Sequence, residues 1–180
     1  KQNFNVTVLD NFSTGHDENL SHLKNNIKIV NCDISVEGDW IKEFKNIKWV
    51  FHLASLADIV PSIQRPAEYF NSNVNGTFNY LESSRLNNVK GFIFASSGSV
   101  FGDLPPPHSE NLYRKPISPY GSSKLTIETF CESYSNVFNI DTTVLRFSNV
   151  SCCNAFISVI ICFIYFPYFT FIFKSFIILI

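Results

Sequence analysis

Apolar segments of strand length recur along the first 150 residues of this chain. They cover residues 4–9, 27–30, 49–54, 91–95 and 142–147. Most are apolar on both faces, which is typical of buried parallel strands, and helix-length segments separate most of them. The pattern predicts an α/β fold with a doubly wound parallel sheet. Ligands bind beyond the carboxyl ends of the strands in such a sheet.

Two longer segments have helical features. After Pro66, apolar residues recur at three- and four-residue steps, which predicts an amphipathic helix ending near Asn87. Its apolar positions are Tyr69, Phe70, Val74, Phe78 and Leu81. A second helix is predicted over 120–138, because Ser118 and Pro119 form a typical helix start. A shorter helix is predicted over 36–45.

Charge divides the chain into two parts. Of the 29 charged side chains, only Lys174 lies in the last thirty residues, where seven Phe and eight Ile are found. We therefore expect a domain over residues 1–150 and a hydrophobic tail over 151–180. The stretch 155–173 carries no charge and is long enough to cross a membrane. Pro167 and a composition typical of A+T-rich codons favour instead a foreign segment, translated out of frame or from an intron. A native sheet or core segment is the third interpretation.

Net charge and cysteine spacing exclude several functional classes. A formal charge of −1 provides no basic field for nucleic acid. The five cysteines form no CxxC pair and have no histidine at zinc-finger spacing, so we expect neither a metal site nor a disulfide framework. A reducing, cytoplasmic compartment is the expectation, with membrane association through 155–173 as the alternative. The chain begins at Lys1 and contains no Met, which indicates a fragment.

Tyr120 and Lys124 are candidate catalytic residues. They lie four residues apart and so share one face of the predicted helix. An adjacent ammonium group typically lowers a tyrosine pKa by about 1–3 units from about 10, which brings the phenol towards use as a base. Such pairs also occur on ordinary helix surfaces. Ser97 ends the preceding strand, 23 residues before Tyr120, where its hydroxyl could share a proton with the phenol and a substrate oxygen.

Seven short motifs occur in order along the domain: VLDNFSTG (8–15), CDI (32–34), HLAS (52–55), NVNGT (73–77), SSGSVFG (96–102), SPYGSSK (118–124) and LRFSNV (145–150). Through these motifs the chain resembles the extended short-chain dehydrogenase/reductases. Within them it is most similar to the NAD-dependent epimerase/dehydratase family, in particular UDP-glucose 4-epimerase-like sugar-nucleotide epimerases. The resemblance implies a Rossmann-like domain, NAD as cofactor, a nucleotide-sugar substrate such as a UDP-hexose, and a homodimeric parent protein.

The resemblance also implies a cofactor site. Asp10 would accept hydrogen bonds from the adenosine ribose hydroxyls, which favours NAD over NADP because a 2′-phosphate would meet a carboxylate. The other implied cofactor residues are Asn11, Ser13, Thr14 and Gly15 at the same ribose, Asp33 and Ile34 at the adenine, Leu53, Ala54, Ser55 and Ser72 at the nicotinamide ribose and pyrophosphate, and Tyr120 with Lys124.

The implied reaction is epimerisation at C4 of the sugar. Tyr120 would remove the proton of the 4-hydroxyl, hydride would pass to NAD, and the 4-keto sugar would turn before hydride returns to its other face. Lys124 would lower the phenol's pKa and hold the nicotinamide ribose, Ser97 would orient the hydroxyl, and Asn149 would contact the substrate. His52 is expected to be a structural imidazole.

Several alternatives remain open. A 4,6-dehydratase is disfavoured because that branch has an acidic pair after the hydroxyl residue, where this chain has Gly98 and Ser99. A decarboxylase or reductase of the same group is not excluded. A different class of interpretation is a non-catalytic gene fragment or a membrane-attached pseudoenzyme.

The chain departs from the family's pattern at both ends. The family opens with a strand and a Gly-x-x-Gly-x-x-Gly turn, but this sequence has no glycine before Gly15. After residue 150 the expected Tyr-Gly-Pro and substrate domain do not follow. The resemblance therefore predicts that the first strand, the glycine turn and the C-terminal substrate domain are missing, and that the 180-residue chain is inactive.

Overall fold

A computed structural model describes residues 4–23 and 25–147, together with the backbone of three short strands further along the chain. Its strands are β1 (Val6–Asp10), β2 (Ile27–Asn31), β3 (Trp49–His52), β4 (Gly91–Ser97), β5 (Asp141–Phe147), β6 (Ser151–Cys153), β7 (Phe156–Ser158) and β8 (Ile177–Leu179). Its α-helices are α1 (Ile59–Gln64), α2 (Pro66–Tyr69), α3 (Gly76–Leu86) and α4 (Pro119–Phe138). Short 3₁₀ helices cover Asp17–Leu23, Asp39–Phe44 and Gly98–Phe101.

The five strands predicted from apolar segments form the expected parallel pairs. β1 pairs with β2, and β3, β4 and β5 pair in succession, all in parallel. The helices between them supply the long connections that parallel strands require. The α/β fold with a parallel sheet is therefore confirmed. It brings the carboxyl ends of β1 to β5 to one edge of the sheet.

The position between β1 and β3 is occupied by β8, in a sheet of order β2-β1-β8-β3-β4-β5. β8 runs antiparallel to both neighbours, and Ile178 pairs with Val8 on one side and Phe51 on the other. Without a strand there, two rows of backbone N–H and C=O groups would lack partners inside the sheet, which is costly. Residues 177–179 thus fill the position between β1 and β3, and this pairing favours the sheet interpretation for that part of the tail.

Little else of the tail is described. β6 and β7 form a separate antiparallel pair, and they are the backbone segments described between residues 148 and 176. Most of the stretch 155–173 therefore lies outside the described residues. Within the described part of the chain, no helix has both the length and the apolar character needed to cross a membrane.

The helix predicted after Pro66 is interrupted. Between α2 and α3 the chain forms a π-helical segment, Phe70–Asn75. Extra residues in a π-turn shift the helical phase, so the predicted apolar stripe does not face the core throughout. Phe70 and Phe78 are 56% and 38% exposed, and their assignment to a buried stripe is therefore wrong.

The helix predicted over 120–138 is confirmed as α4. The Ser118 hydroxyl caps its start by accepting a hydrogen bond from the Gly121 N–H at 3.1 Å, and Pro119 occupies the first turn. Asn139 ends the helix in the left-handed conformation, with φ of 58°. The cap positions Tyr120, because it fixes the first turn of α4 against the sheet edge.

The core lies between the sheet and these helices. Its largest fully buried side chains include Phe44, Tyr80, Phe92 and Ile127. Burying a large apolar side chain contributes about 1.5–3 kcal/mol. The core therefore holds α3 and α4 firmly against the strands whose ends carry the candidate site.

Candidate active site

An open cleft lies at the carboxyl ends of β1, β2 and β3. Residues from the three following loops line it, together with one residue of the π-helical segment. Nine predicted cofactor residues are among them: Asp10, Asn11, Ser13, Thr14, Asp33, Ile34, Ala54, Ser55 and Ser72. Leu9, Cys32 and Leu56 also line the cleft and were not predicted. The topology thus brings together residues that are up to 63 positions apart in the chain.

Asp10 has a carboxylate oxygen without a partner. Its Oδ1 accepts a hydrogen bond from the Phe12 N–H at 2.7 Å, whereas Oδ2 is buried and has no hydrogen-bond partner among the described residues. Burial raises the pKa of this carboxyl, although hydrogen bonds from the Phe12 and Asn11 backbone lower it. A buried acceptor without a donor is costly. The arrangement therefore fits a ligand hydroxyl, such as one from the ribose of NAD.

Gly15 packs against this carboxylate. A Cβ at position 15 would lie 2.9 Å from Asp10 Oδ2, closer than side chains normally approach. Gly15 is therefore beside the cleft, as predicted, but its role is to leave space for Asp10.

The Asp33–Ile34 turn is held from two sides. Asp33 Oδ1 accepts hydrogen bonds from the backbone N–H and the hydroxyl of Ser35 at 2.9 and 2.7 Å. The Asn79 amide on α3 donates to the Ile34 carbonyl at 2.9 Å. Gly76, the first residue of α3, also approaches closely, since a Cβ there would lie 3.0 Å from Ile34 Cγ1. The predicted adenine-binding pair is thus presented by a rigid turn.

Asn73 connects the loop after β3 to α4. Its Oδ1 accepts from the Leu56 N–H at 2.8 Å, and its Nδ2 donates to the Leu56 carbonyl at 3.0 Å. The same Nδ2 donates to the Ser123 hydroxyl at 3.2 Å, which donates to the Tyr120 carbonyl at 2.7 Å. Sequence reasoning placed Asn73 in a motif but assigned it no role. The sequence feature that could have indicated a role is an asparagine within a segment predicted to be helical.

Ser97, Tyr120 and Lys124 come together at the end of β4. A hydrogen bond with Ser97 lowers the pKa of the half-buried Tyr120. The Lys124 ammonium group lies 5.8 Å from the centre of the Tyr120 ring. It donates a hydrogen bond to the Ala95 carbonyl at 2.8 Å. The three predicted catalytic residues therefore share one region, beyond the cleft that β1 to β3 form.

The expected effect of Lys124 on the phenol is not observed. Burial is the largest influence on Tyr120 and raises its pKa, and the charge of Asp58 adds to the increase. Burial also lowers the pKa of Lys124 to about 7, against the opposing charge of Glu128. Near neutrality Lys124 is therefore charged only part of the time, and Lys124 is not among the groups that shift the pKa of Tyr120. Spacing alone did not reveal this desolvation.

A buried carboxylate supports the base of this region. Glu128 lies one turn beyond Lys124 and is 3% exposed. It accepts hydrogen bonds from the Ser96 hydroxyl, from Arg146 at 2.8–3.2 Å and from Arg114 at 3.2 Å. These contacts tie α4 to the ends of β4 and β5. Sequence reasoning missed Glu128, although a charged residue at a core position of a helix signals a paired site.

His52 lies in the core, as predicted for a structural imidazole. Its Nε2 is 2.7 Å from the Thr77 hydroxyl, and its ring stacks on Tyr80 and Phe94 at centroid distances of 5.3 and 5.8 Å. Burial lowers its pKa to about 3, so the ring stays neutral.

Two of the predicted site residues are not placed at the cleft. Leu53 is half-buried in the loop after β3 but does not line the cleft. Asn149 lies outside the described residues. Within residues 4–23 and 25–147, no group of three His, Cys, Asp or Glu side chains is arranged to hold a metal ion.

Known proteins share both the sequence pattern and the fold. The model of the NAD dependent epimerase/dehydratase family matches residues 1–155. A UDP-glucuronate 4-epimerase of Thermodesulfobacterium geofontis is 30% identical over 155 residues, which cover 81% of this chain and 48% of that protein.

Solved structures have the same arrangement. The UDP-glucose 4-epimerase of Thermotoga maritima, crystallised with UDP-glucose, is 34% identical with a TM-score of 0.77, and the match covers 82% of this chain and 48% of that one. The Thermus thermophilus UDP-glucose 4-epimerase complex with NAD is 28% identical with a TM-score of 0.74, covering 78% and 46%.

These similarities extend over most of this chain but only part of the known proteins. The chain spans about half the length of the curated relatives that it matches, 49% and 44% of the first two. The family model covers residues 1–155, which include every described site residue, and the fold agrees with the family's solved structures. The chain therefore belongs to the NAD-dependent epimerase/dehydratase family.

Proposed function

We propose that this chain is the NAD-binding part of a sugar-nucleotide 4-epimerase that acts on a UDP-hexose. The observation that carries the proposal is the proximity of Ser97, Tyr120 and Lys124 at the end of β4, on the same edge of the sheet as the cleft lined by the predicted cofactor residues. A buried acceptor in the cleft, Asp10 Oδ2, supports a ribose-containing ligand.

The residues of the cleft suit the parts of NAD. Asp10 would accept hydrogen bonds from the adenosine ribose, with Asn11, Ser13 and Thr14 around the same group. The Asp33–Ile34 turn would contact the adenine, and Ala54, Ser55 and Ser72 would line the path towards the nicotinamide. When bound, NAD supplies a hydride acceptor that returns the hydride within the same turnover.

Tyr120 would exchange the proton of the sugar's 4-hydroxyl, and Ser97 would orient that hydroxyl. The raised pKa of Tyr120 keeps the phenol protonated in the free chain, so its base form must arise in the complex with substrate and cofactor. Lys124 would hold the hydroxyls of the nicotinamide ribose.

The residues after Ser97 support an epimerase over a dehydratase. Ser97 is followed by Gly98 and Ser99, and the Ser99 N–H and hydroxyl both lie 3.2 Å from the Ser97 hydroxyl. This turn contains no carboxyl group that could act as the acid in eliminating water.

A homodimer of the parent protein is part of the proposal. The outer face of α3 and α4 exposes three aromatic rings, Phe78, Phe130 and Phe138, which are 38%, 37% and 44% exposed. A face of this kind suits burial against a second copy. Phe130→Lys should then lower the sedimentation coefficient of the intact protein to that of a monomer. An unchanged coefficient would exclude this face. We also propose a cytoplasmic location, in keeping with the free thiols of Cys32 and Cys131.

The proposed activity can be tested in the intact protein that contains this chain. Tyr120→Phe should lower turnover of UDP-galactose by about 10²–10⁴-fold, the usual contribution of general acid–base catalysis. NAD binding should persist. Tyr113→Phe is the control, because Tyr113 is 78% exposed. Near-wild-type turnover in Tyr120→Phe would exclude Tyr120 as the base.

A further inference from the structure

Asp58 has a strained backbone close to the catalytic region. It directly precedes α1 and has φ of 76° and ψ of 137°, a conformation that non-glycine residues adopt only at a cost in free energy. Its carboxylate does not cap the helix. Such outliers concentrate at functional sites, where the surrounding structure holds them in place.

Residues on both sides of Asp58 connect its chain segment to the surroundings of Tyr120. The carbonyl of Ala57 accepts a hydrogen bond from the Tyr69 hydroxyl, and the Tyr69 ring meets the Tyr120 ring edge-to-face at a centroid distance of 6.4 Å. On the other side, the Ser62 hydroxyl of α1 accepts from the Tyr120 N–H at 3.2 Å. The segment carrying Asp58 is thus attached twice to the surroundings of Tyr120.

The negative charge of Asp58 is not neutralised within the described part of the chain. The carboxylate is exposed and makes no hydrogen bond or ion pair there, whereas nearby Glu68 is paired with Arg65 at 2.9 Å. Asp58 raises the pKa of both Tyr69 and Tyr120, but Glu68 acts only on Tyr69. Of these two acidic residues, Asp58 is therefore the one that raises the pKa of Tyr120, and its chain segment is the one attached to the surroundings of Tyr120 on both sides. The Lys124 ammonium group lies 5.8 Å from the centre of the Tyr120 ring.

The proposed reaction places sugar C4 at Tyr120, and this determines what lies near Asp58. C6 is attached to C5, the neighbour of C4, so a carboxylate at C6 must lie within a few bonds of the group that contacts Tyr120. If the charge of Asp58 acts on the Tyr120 hydroxyl, it also acts on the carboxylate of a bound uronate. Two like charges in a partly desolvated site repel each other, and repulsion is an effective means of rejecting a competing substrate.

We propose that Asp58 is a specificity residue that makes the sugar subsite select uncharged hexosyl groups and reject uronates. The inference rests on the proposed function, because it assumes that a nucleotide sugar binds with C4 at Tyr120. Family membership leaves this choice open, since a UDP-glucuronate 4-epimerase is among the similar proteins.

The test compares kcat/KM for UDP-galactose and UDP-galacturonate in the intact protein with NAD. We expect the wild type to prefer UDP-galactose, and Asp58→Asn to reduce that preference by about two- to tenfold, because water screens the charge of an exposed carboxylate. Asparagine has a similar shape and tolerates positive φ. Glu68→Gln is the matched control and should leave the preference unchanged.

A second measurement does not depend on activity. In this chain labelled with ¹³Cζ-tyrosine, the Tyr120 resonance is assigned by its loss in Tyr120→Phe and then titrated by NMR. Asp58→Asn should lower the pKa of Tyr120, and Glu68→Gln should not. An unchanged Tyr120 pKa in Asp58→Asn would overturn the inference.

The outcomes separate this inference from the proposed function. Turnover of neither nucleotide sugar by the wild type would refute the proposed function, and the inference with it. Turnover of both with the same preference in wild type and Asp58→Asn would refute the inference alone.

Discussion

Replacing Glu128 by glutamine should destabilise the chain strongly, because this carboxylate joins three elements in the core. Its oxygens accept hydrogen bonds from Ser96 on β4, from Arg146 on β5 and from Arg114 in the loop before α4. Glutamine has one acceptor oxygen and no charge, so it cannot satisfy all of these donors. The Arg146 and Arg114 side chains, 20% and 35% exposed, would lose their charged partner.

The magnitude follows from this geometry. Breaking a buried ion pair by removing one partner costs about 3–5 kcal/mol. We expect the lower end, about 3 kcal/mol, because water reaches part of both guanidinium groups. For a chain of this size the melting temperature should fall by about 6–12 °C.

Urea unfolding and thermal melts followed by circular dichroism measure the effect. Glu132→Gln is the control, because Glu132 is exposed one turn further along α4, and it should change stability by less than about 0.5 kcal/mol. A double-mutant cycle with Arg146→Met should give a coupling energy of at least about 1 kcal/mol. A loss below about 1 kcal/mol in Glu128→Gln would show that the Glu128 ion pairs contribute little to stability.

Three further predictions concern the sheet, the cleft and the buried imidazole. Truncation after residue 176 removes β8 and should speed amide exchange in β1 and β3 by at least about tenfold, because exchange follows local opening; unchanged protection would show that β8 does not complete the sheet. In calorimetric titrations of the intact protein that contains this chain, Gly15→Ala should weaken NAD binding at least about tenfold, because the new Cβ displaces the Asp10 carboxylate. Gly38→Ala is its control, and equal affinities would contradict the assigned role of Asp10. Because the pKa of His52 is depressed to about 3, the unfolded chain binds the extra proton below about pH 6.5. Stability should therefore fall between about pH 6.5 and 3, and urea midpoints of His52→Gln should depend less on pH than those of the wild type or His16→Gln.

Local patterns in the sequence predicted most of the fold correctly. The five apolar segments became the parallel strands, and Ser118 and Pro119 marked the start of α4 because capping depends on neighbouring residues alone. The rule that parallel strands present their carboxyl ends at one edge was enough to group Asp10, Asp33 and Ser55 around one cleft.

Other features depend on contacts between distant parts of the chain. The π-helical segment shifted the faces of Phe70 and Phe78, and β8 entered the sheet from residues that carry no turn or helix signal linking them to β1. The connection from Leu56 through Asn73 to Ser123 spans 67 residues of sequence. No local pattern identifies such partners, since they are selected by shape and hydrogen bonding after the elements have packed.

The sequence by itself therefore determined the α/β architecture and the family, and it supplied the side chains that we propose as reactive. Only the tertiary structure decided their protonation. Four-residue spacing brings Lys124 to the same helix face as Tyr120, but burial raises the pKa of the phenol and lowers that of the ammonium group to about 7. Desolvation depends on everything packed around a group, and the charges of Asp58 and Glu128 act in addition to it. Neither effect can be deduced from the spacing of two residues.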